Sequence, residues 1–139
     1  MTRLVLDASV GLAWVVARNA DPYAELVQRR VQSGVRAVVP AFWQLEVTNV
    51  LAMVERRGVL SAVEVDEGLK YFEGFLTTHA EVVGSFTGMR EILRLARELR
   101  LTSYDSVYID LALKERLPLA TLDKGLRAAA AKAGVALLK

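Results

Sequence analysis

The chain has 139 residues, no cysteine, one histidine and a formal net charge of +2 from 18 basic and 16 acidic residues. That length makes one domain with a core of its own, and a composition 53% hydrophobic and 24% charged excludes a disordered chain. Without cysteine there are no disulfides, thiolate metal sites or cysteine nucleophiles, which fits a cytoplasmic protein; no apolar run reaches the roughly 20 residues that span a bilayer.

The opening MTRLVLDASVGLAW is interrupted by Asp7 and has no clean small-residue cleavage site. It reads as the first strand, residues 3–6 (RLVL), rather than as a signal peptide. Asp21-Pro22 is an N-cap with proline at the first helical position, opening a helix that Gly34 closes. Residues 36–39 (RAVV) form a second strand ended by Pro40, and residues 41–57 have helical periodicity up to Gly58. Ser61 and Glu64 make a capping box for a helix to about Thr78. Val82-Val83 is a short strand, and helices follow over residues 87–100 and 103–116. Residues 118–122 (PLATL) form another strand, residues 124–133 a helix ended by Gly134, and residues 135–138 (VALL) a last strand. Nearly continuous apolar strands spaced by helices predict an α/β domain with a parallel central sheet flanked by helices on both faces.

Four acids stand where acids are costly. Asp7 follows RLVL and Asp123 follows PLATL, so both lie at the carboxyl ends of buried strands, where open parallel sheets bind ligands. Each reads equally well as an ordinary helix cap. Glu46 has Phe42, Trp43, Val50 and Met53 around it at helical spacing, the middle of an apolar stripe. A charge there costs several kcal/mol unless it is paired or bound to a metal. Asp105 sits in the first turn of its helix, three residues after Thr102, so a capping box explains it as well as a site does. Its neighbours Tyr108, Ile109 and Ala112 are apolar, whereas Asp110 has Ser106 and Lys114 four residues away. The pattern predicts Asp105 on the buried side and Asp110 on the solvent side.

Four acids in such places suggest one carboxylate cluster, which is unstable without a counterion. His79, the single histidine, disfavours zinc and reads as a polar residue near a helix end. Hard oxygen ligands select Mg²⁺ or Mn²⁺, and a suitable reaction is metal-assisted attack of water on a phosphodiester. Gathering four acids at one site leaves a more basic exterior, which suits a polyanionic substrate. Two other phosphoryl-transfer folds place an aspartate after a strand. A haloacid-dehalogenase-like domain wants D-x-D where this chain has Asp7-Ala8-Ser9, and a receiver-like domain wants a late lysine that Lys139 supplies too late.

VLDASV (5–10), PAFWQLEVTNVL (40–51), LTSYDSVYIDLA (101–112) and ATLDKGLRAAAAKAG (120–134) together resemble the PIN-domain family, and within it the VapC-type toxin ribonucleases. The resemblance covers essentially the whole chain in the right order. It implies a parallel sheet between helices and metal binding by Asp7, Glu46, Asp105 and Asp123, with Asp123 able to act through water. Ser9 and Thr121 match hydroxyl positions that support the metal's water or a neighbouring carboxylate; a turn-stabilising role fits both equally. It further implies RNA cleavage with Mg²⁺ or Mn²⁺, a homodimer and a cognate antitoxin encoded beside the toxin. A PIN-like module that binds RNA or a partner without cleaving, and a housekeeping RNA-processing nuclease, remain the alternatives. Arg90, Arg94, Arg97 and Arg100 form a basic stripe that could track a phosphate backbone, although Glu91 and Glu98 favour a solvated, ion-paired face. Trp14 and Trp43 could stack on bases or pack in the core.

Overall fold

The computed structural model describes residues 2–16 and 19–139. Strands β1 (Arg3–Leu6), β2 (Arg36–Pro40), β3 (Ala80–Val83) and β4 (Leu119–Ala120) form one sheet in the order β3-β2-β1-β4, with every pairing parallel. The helices are α1 (Ala8–Val15), α2 (Pro22–Gln32), α3 (Trp43–Arg56), α4 (Ala62–Thr78), α5 (Met89–Leu99), α6 (Ser103–Glu115) and α7 (Lys124–Ala133). Leu4, Val5 and Leu6 of β1 and Ala37, Val38 and Val39 of β2 are fully buried, as strands covered on both faces must be. This is the α/β architecture that the alternation of segments predicts.

Strand order fixes where a site can form. The chain builds β1, β2 and β3 outward in one direction, then returns across the sheet to place β4 on the other side of β1. The order reverses between β1 and β4, and the crevice outside the carboxyl ends of such a strand pair is the usual ligand position in open α/β sheets. Val5 pairs in register with both Val38 and Leu119, so β1 is the axis of this reversal.

Local signals place most helix ends. The Asp21 carboxylate accepts from the amides of Tyr23 and Ala24, and Ser61 and Glu64 form the reciprocal capping box. Gly134 ends α7 at φ 79°, a backbone angle that favours glycine. Three elements differ from expectation. Helix α1 is absent from the pattern because its apolar residues fall on every side and draw no stripe; Gly11 within it lets the Trp43 ring approach so closely that a Cβ would lie 2.9 Å from it. Strand β4 is two residues long, because beyond Ala120 the Thr121 side chain turns toward Asp7 and the chain begins the cap of α7. The last apolar segment makes a single parallel bridge, Leu119 to Leu137, in place of a strand.

The two aspartates of α6 exchange their expected environments. Asp110 is 4% exposed and Asp105 is only half-buried. The Asp110 carboxylate accepts from the Thr87 backbone N–H at 3.0 Å and from its hydroxyl at 2.6 Å, rather than pairing with Lys114. Its partner is 23 residues away, out of range of any helical spacing rule. The two bonds pin the loop before α5, where Gly88 takes φ 151° as the helix N-cap. Truncation would leave the Thr87 amide and hydroxyl without an acceptor. Asp110→Ala should therefore lower the unfolding free energy by about 2–3 kcal/mol in urea denaturation; an unchanged midpoint would show that this clamp contributes nothing.

Candidate metal and active site

Asp7 stands at the end of β1 with its backbone N–H bonded to the Ala120 carbonyl, and its carboxylate is 6% exposed. Oδ2 accepts from the Ser9 hydroxyl at 2.6 Å and from the Thr121 hydroxyl at 2.7 Å. Ser9 Oγ in turn accepts from the Leu122 amide, and Thr121 Oγ1 from the Asp123 amide, each at 3.0 Å. The two hydroxyls thus lock the turn after β4 to the carboxylate after β1. Burial raises the Asp7 pKa, the two hydroxyl bonds lower it, and the charge of Asp123 raises it again.

Glu46 lies in the first turn of α3 and is half-buried, with Oε1 accepting from the Tyr108 hydroxyl at 2.5 Å. Desolvation raises its pKa, the tyrosine bond lowers it, and Asp7 and Asp105 push it further up. Asp105 is in the first turn of α6, where its backbone N–H donates to Thr102 Oγ1 at 3.1 Å. The capping role is therefore real for the amide, while the carboxyl is raised by burial, by Asp7 and by Asp123. Asp123 is exposed and caps α7, Oδ2 accepting from the Leu126 amide at 2.7 Å.

The four acids share one end of the sheet and act on one another electrostatically, and among the described residues no cation is one of the groups that shift Asp7, Glu46 or Asp105. Among the described residues no three of them close into a ready ligand cage, and Asp7, Glu46 and Asp123 each hold a local donor. The donor set is all carboxylate oxygen, half-shielded from water and short of positive charge. That chemistry fits a hard divalent cation such as Mg²⁺ or Mn²⁺.

Sequence reading did not single out Tyr108 as a functional residue. It is fully buried, it orients Glu46, and burial together with the charges of Asp7 and Glu46 raises its pKa, so the phenol stays a hydrogen-bond donor. The available signal was its position one turn after Asp105, on the face that meets α3. The other candidates resolve toward packing. Trp43 is fully buried, and Trp14 donates to the Ala24 carbonyl at 2.8 Å with its ring edge-to-face against Tyr71 and Phe75. Arg94, one of the four arginines of the basic stripe, pairs with Glu91 and Glu98.

Because folding raises the pKa of Asp7, Glu46 and Asp105, their contribution to stability is present at acid pH, below the ordinary carboxylate range. It is lost as pH rises through the raised values, leaving mutual repulsion at neutral pH. In EDTA at pH 7.5, Asp105→Asn should melt about 2–5 °C above the unsubstituted protein, and the gap should close near pH 4. Identical melting at both pH values would mean that the carboxylates do not repel one another.

Residues 4–132 match the family described as PIN domain. Among solved structures, PAE2754 from Pyrobaculum aerophilum superposes with a TM-score of 0.71 at 21% identity, over 92% of this chain and 84% of that one. FitAcB from Neisseria gonorrhoeae superposes with a TM-score of 0.65 at 14% identity, over 98% of this chain and 96% of that one. At such identities the likeness is one of fold. No curated protein matches the chain. With the family pattern running over residues 4–132 of 139, the chain belongs to the PIN domain family.

Proposed function

We propose that this protein is a metal-dependent endoribonuclease of the VapC type, the toxin of a type II toxin–antitoxin pair. The observation that carries the reading is the collection of four carboxylates at the sheet's switch point, three of them with raised pKa values and, among the described residues, no cation shifting those three. PIN domains are in general nucleases, and the match spans residues 4–132. The RNA substrate, the cognate antitoxin, the homodimer and the cytoplasmic location belong to this proposal through the resemblance of the four motifs.

Asp7, Glu46, Asp105 and Asp123 would hold Mg²⁺ or Mn²⁺, whose charge offsets the carboxylates and the phosphate and stabilises the departing oxygen. The chain's own residues then have distinct tasks. Ser9 and Thr121 keep Asp7 Oδ2 fixed, and Tyr108 holds Glu46 by Oε1. Glu46 and Asp105 are both half-buried, so either can meet an attacking water and accept its proton. Hydrolysis forms a bond from water oxygen to phosphorus, breaks one phosphorus–oxygen ester bond and delivers the proton to the leaving oxygen.

One observation favours a second reading, a PIN-like module that binds RNA or a partner without cleaving. Three of the four acids are occupied by local donors, and no cage is preformed among the described residues. A structured RNA pool with Mn²⁺ or Mg²⁺, beside EDTA and Asp105→Asn, separates the two. The nuclease should cut only with metal, and the variant should retain its fold and lose about 100-fold or more of the activity. Equal cutting by Asp105→Asn would remove Asp105 from the site, and metal-independent cutting would remove the mechanism.

Tyr108 gives an independent check. Tyr108→Phe deletes only the hydroxyl that orients Glu46, and it should weaken Mn²⁺ binding by about 10- to 100-fold in direct titration. Unaltered affinity would show that Glu46 is not a ligand, or that its orientation does not matter.

A further inference from the structure

A groove of about 740 Å³ runs between α3 and the start of α6, lined by Phe42, Leu45 and Asn49 on one side and Thr102 and Tyr104 on the other. Glu46 and Asp105 lie in its wall, so the groove is continuous with the acid cluster. Two large side chains are open to solvent there, Tyr104 at 62% exposure and Leu45 at 70%. Tyr104 is nevertheless held in place. Its ring meets Phe42 edge-to-face at 5.3 Å, Phe42 meets Tyr108 in the same way at 5.8 Å, and Tyr108 bonds to Glu46. An aromatic ladder therefore connects an exposed ring to one of the site's carboxylates.

Charge decides what such a groove can hold. Among the described residues its lining contains two carboxylates and no lysine or arginine. A polyanion lying here cannot draw its affinity from phosphate contacts with these walls. Stacking on an aromatic ring is the non-ionic contribution that remains, worth about 1–3 kcal/mol per base in single-strand binders. The Asn49 amide and the Thr102 hydroxyl add donors and acceptors suited to a base edge. A base must have a free face to stack, which selects single-stranded or looped RNA over duplex.

We propose that Tyr104 is a nucleobase platform: an unpaired base of the RNA stacks on its ring in the α3–α6 groove and sets the adjoining phosphate against Glu46 and Asp105. This rests on the nuclease reading above and adds to it the residue that receives the base. Tyr104 is a positioning residue for that reaction, next in sequence to Asp105 and across the groove from Glu46.

The test uses the full chain, a short random-sequence single-stranded RNA carrying a fluorophore, and Ca²⁺ as the divalent ion for binding. Tyr104→Ala should weaken binding about tenfold or more. Tyr104→Phe, which keeps the ring, should bind as the unsubstituted protein does, and Tyr104→Leu, which keeps bulk without a ring, should not rescue. The loss should be the same at low and high salt, since stacking releases no counterions. In cleavage with Mn²⁺, KM should rise by the same factor while kcat changes less. Binding by Tyr104→Ala and Tyr104→Leu equal to that of the unsubstituted protein would overturn the proposal. So would an equal loss for duplex RNA, or a Tyr104 effect on sedimentation alone, which would make this face a contact between two copies of the chain. Cleavage that ignores Tyr104 would remove the platform and keep the nuclease. Ring-dependent binding without cleavage would keep the platform and remove the nuclease. No binding of RNA by the unsubstituted protein would remove both.

Discussion

Asp7 is where the sheet and the candidate site meet, because its backbone ends the β1 ladder on the Ala120 carbonyl while its carboxylate is buried among groups from the opposite side of the strand pair. A carboxylate in that position without partners would cost several kcal/mol. Ser9 and Thr121 offset part of that cost with two short hydroxyl bonds to one oxygen, and the same hydroxyls accept the Leu122 and Asp123 amides. The relay fixes the turn after β4, and with it the start of α7 and the position of Asp123. The part not offset persists as a raised pKa, so the buried acid retains a demand for positive charge.

The other acids reach Asp7 on helices, and each helix supplies a reason for its acid to be there. Asp105 and Asp123 occupy the amino-terminal ends of α6 and α7, where the helix dipole favours negative charge. That term lets two acids approach a third without a basic residue between them. Glu46 shares that placement in the first turn of α3 and is held in addition by Tyr108, so the α3–α6 contact helps to aim it. A site assembled this way has its negative charge in place before any cation arrives. The repulsion is held by backbone geometry and short hydrogen bonds rather than relieved by ion pairs.

How much of this could be read from the chain depends on how far each partner lies in sequence. The Asp21 cap, the Ser61–Glu64 box and the bounds of α7 at 124–133 rest on residues within one turn, and the structure forms each of them as expected. The positions of Asp7 and Asp123 after their strands were legible as well, since a strand end needs only an apolar run and a stop. Three features were not legible. Asp110 reads as a solvent residue at helical spacing because the partner that buries it, Thr87, is on another element. Glu46 and Tyr108 are 62 residues apart, and nothing local announces their bond. Helix α1 hides because a segment apolar on all sides has no period to detect. Each miss follows from a contact that only the tertiary fold brings together.

Helix α6 shows why such contacts matter for the site as much as for the fold. Asp105 and Asp110 are five residues apart, which at about 100° per residue places them roughly 140° apart around the helix. One faces the acid cluster and the other faces the loop before α5, so the helix is held from two sides. The Thr87 bonds to Asp110 restrain rotation of α6 about its axis, and any rotation would swing Asp105 away from Asp7 and carry Tyr108 away from Glu46. The residue that looked like a solvent-facing control is thus part of what orients the candidate site. An acid outside the cluster restrains the helix that carries another acid into it.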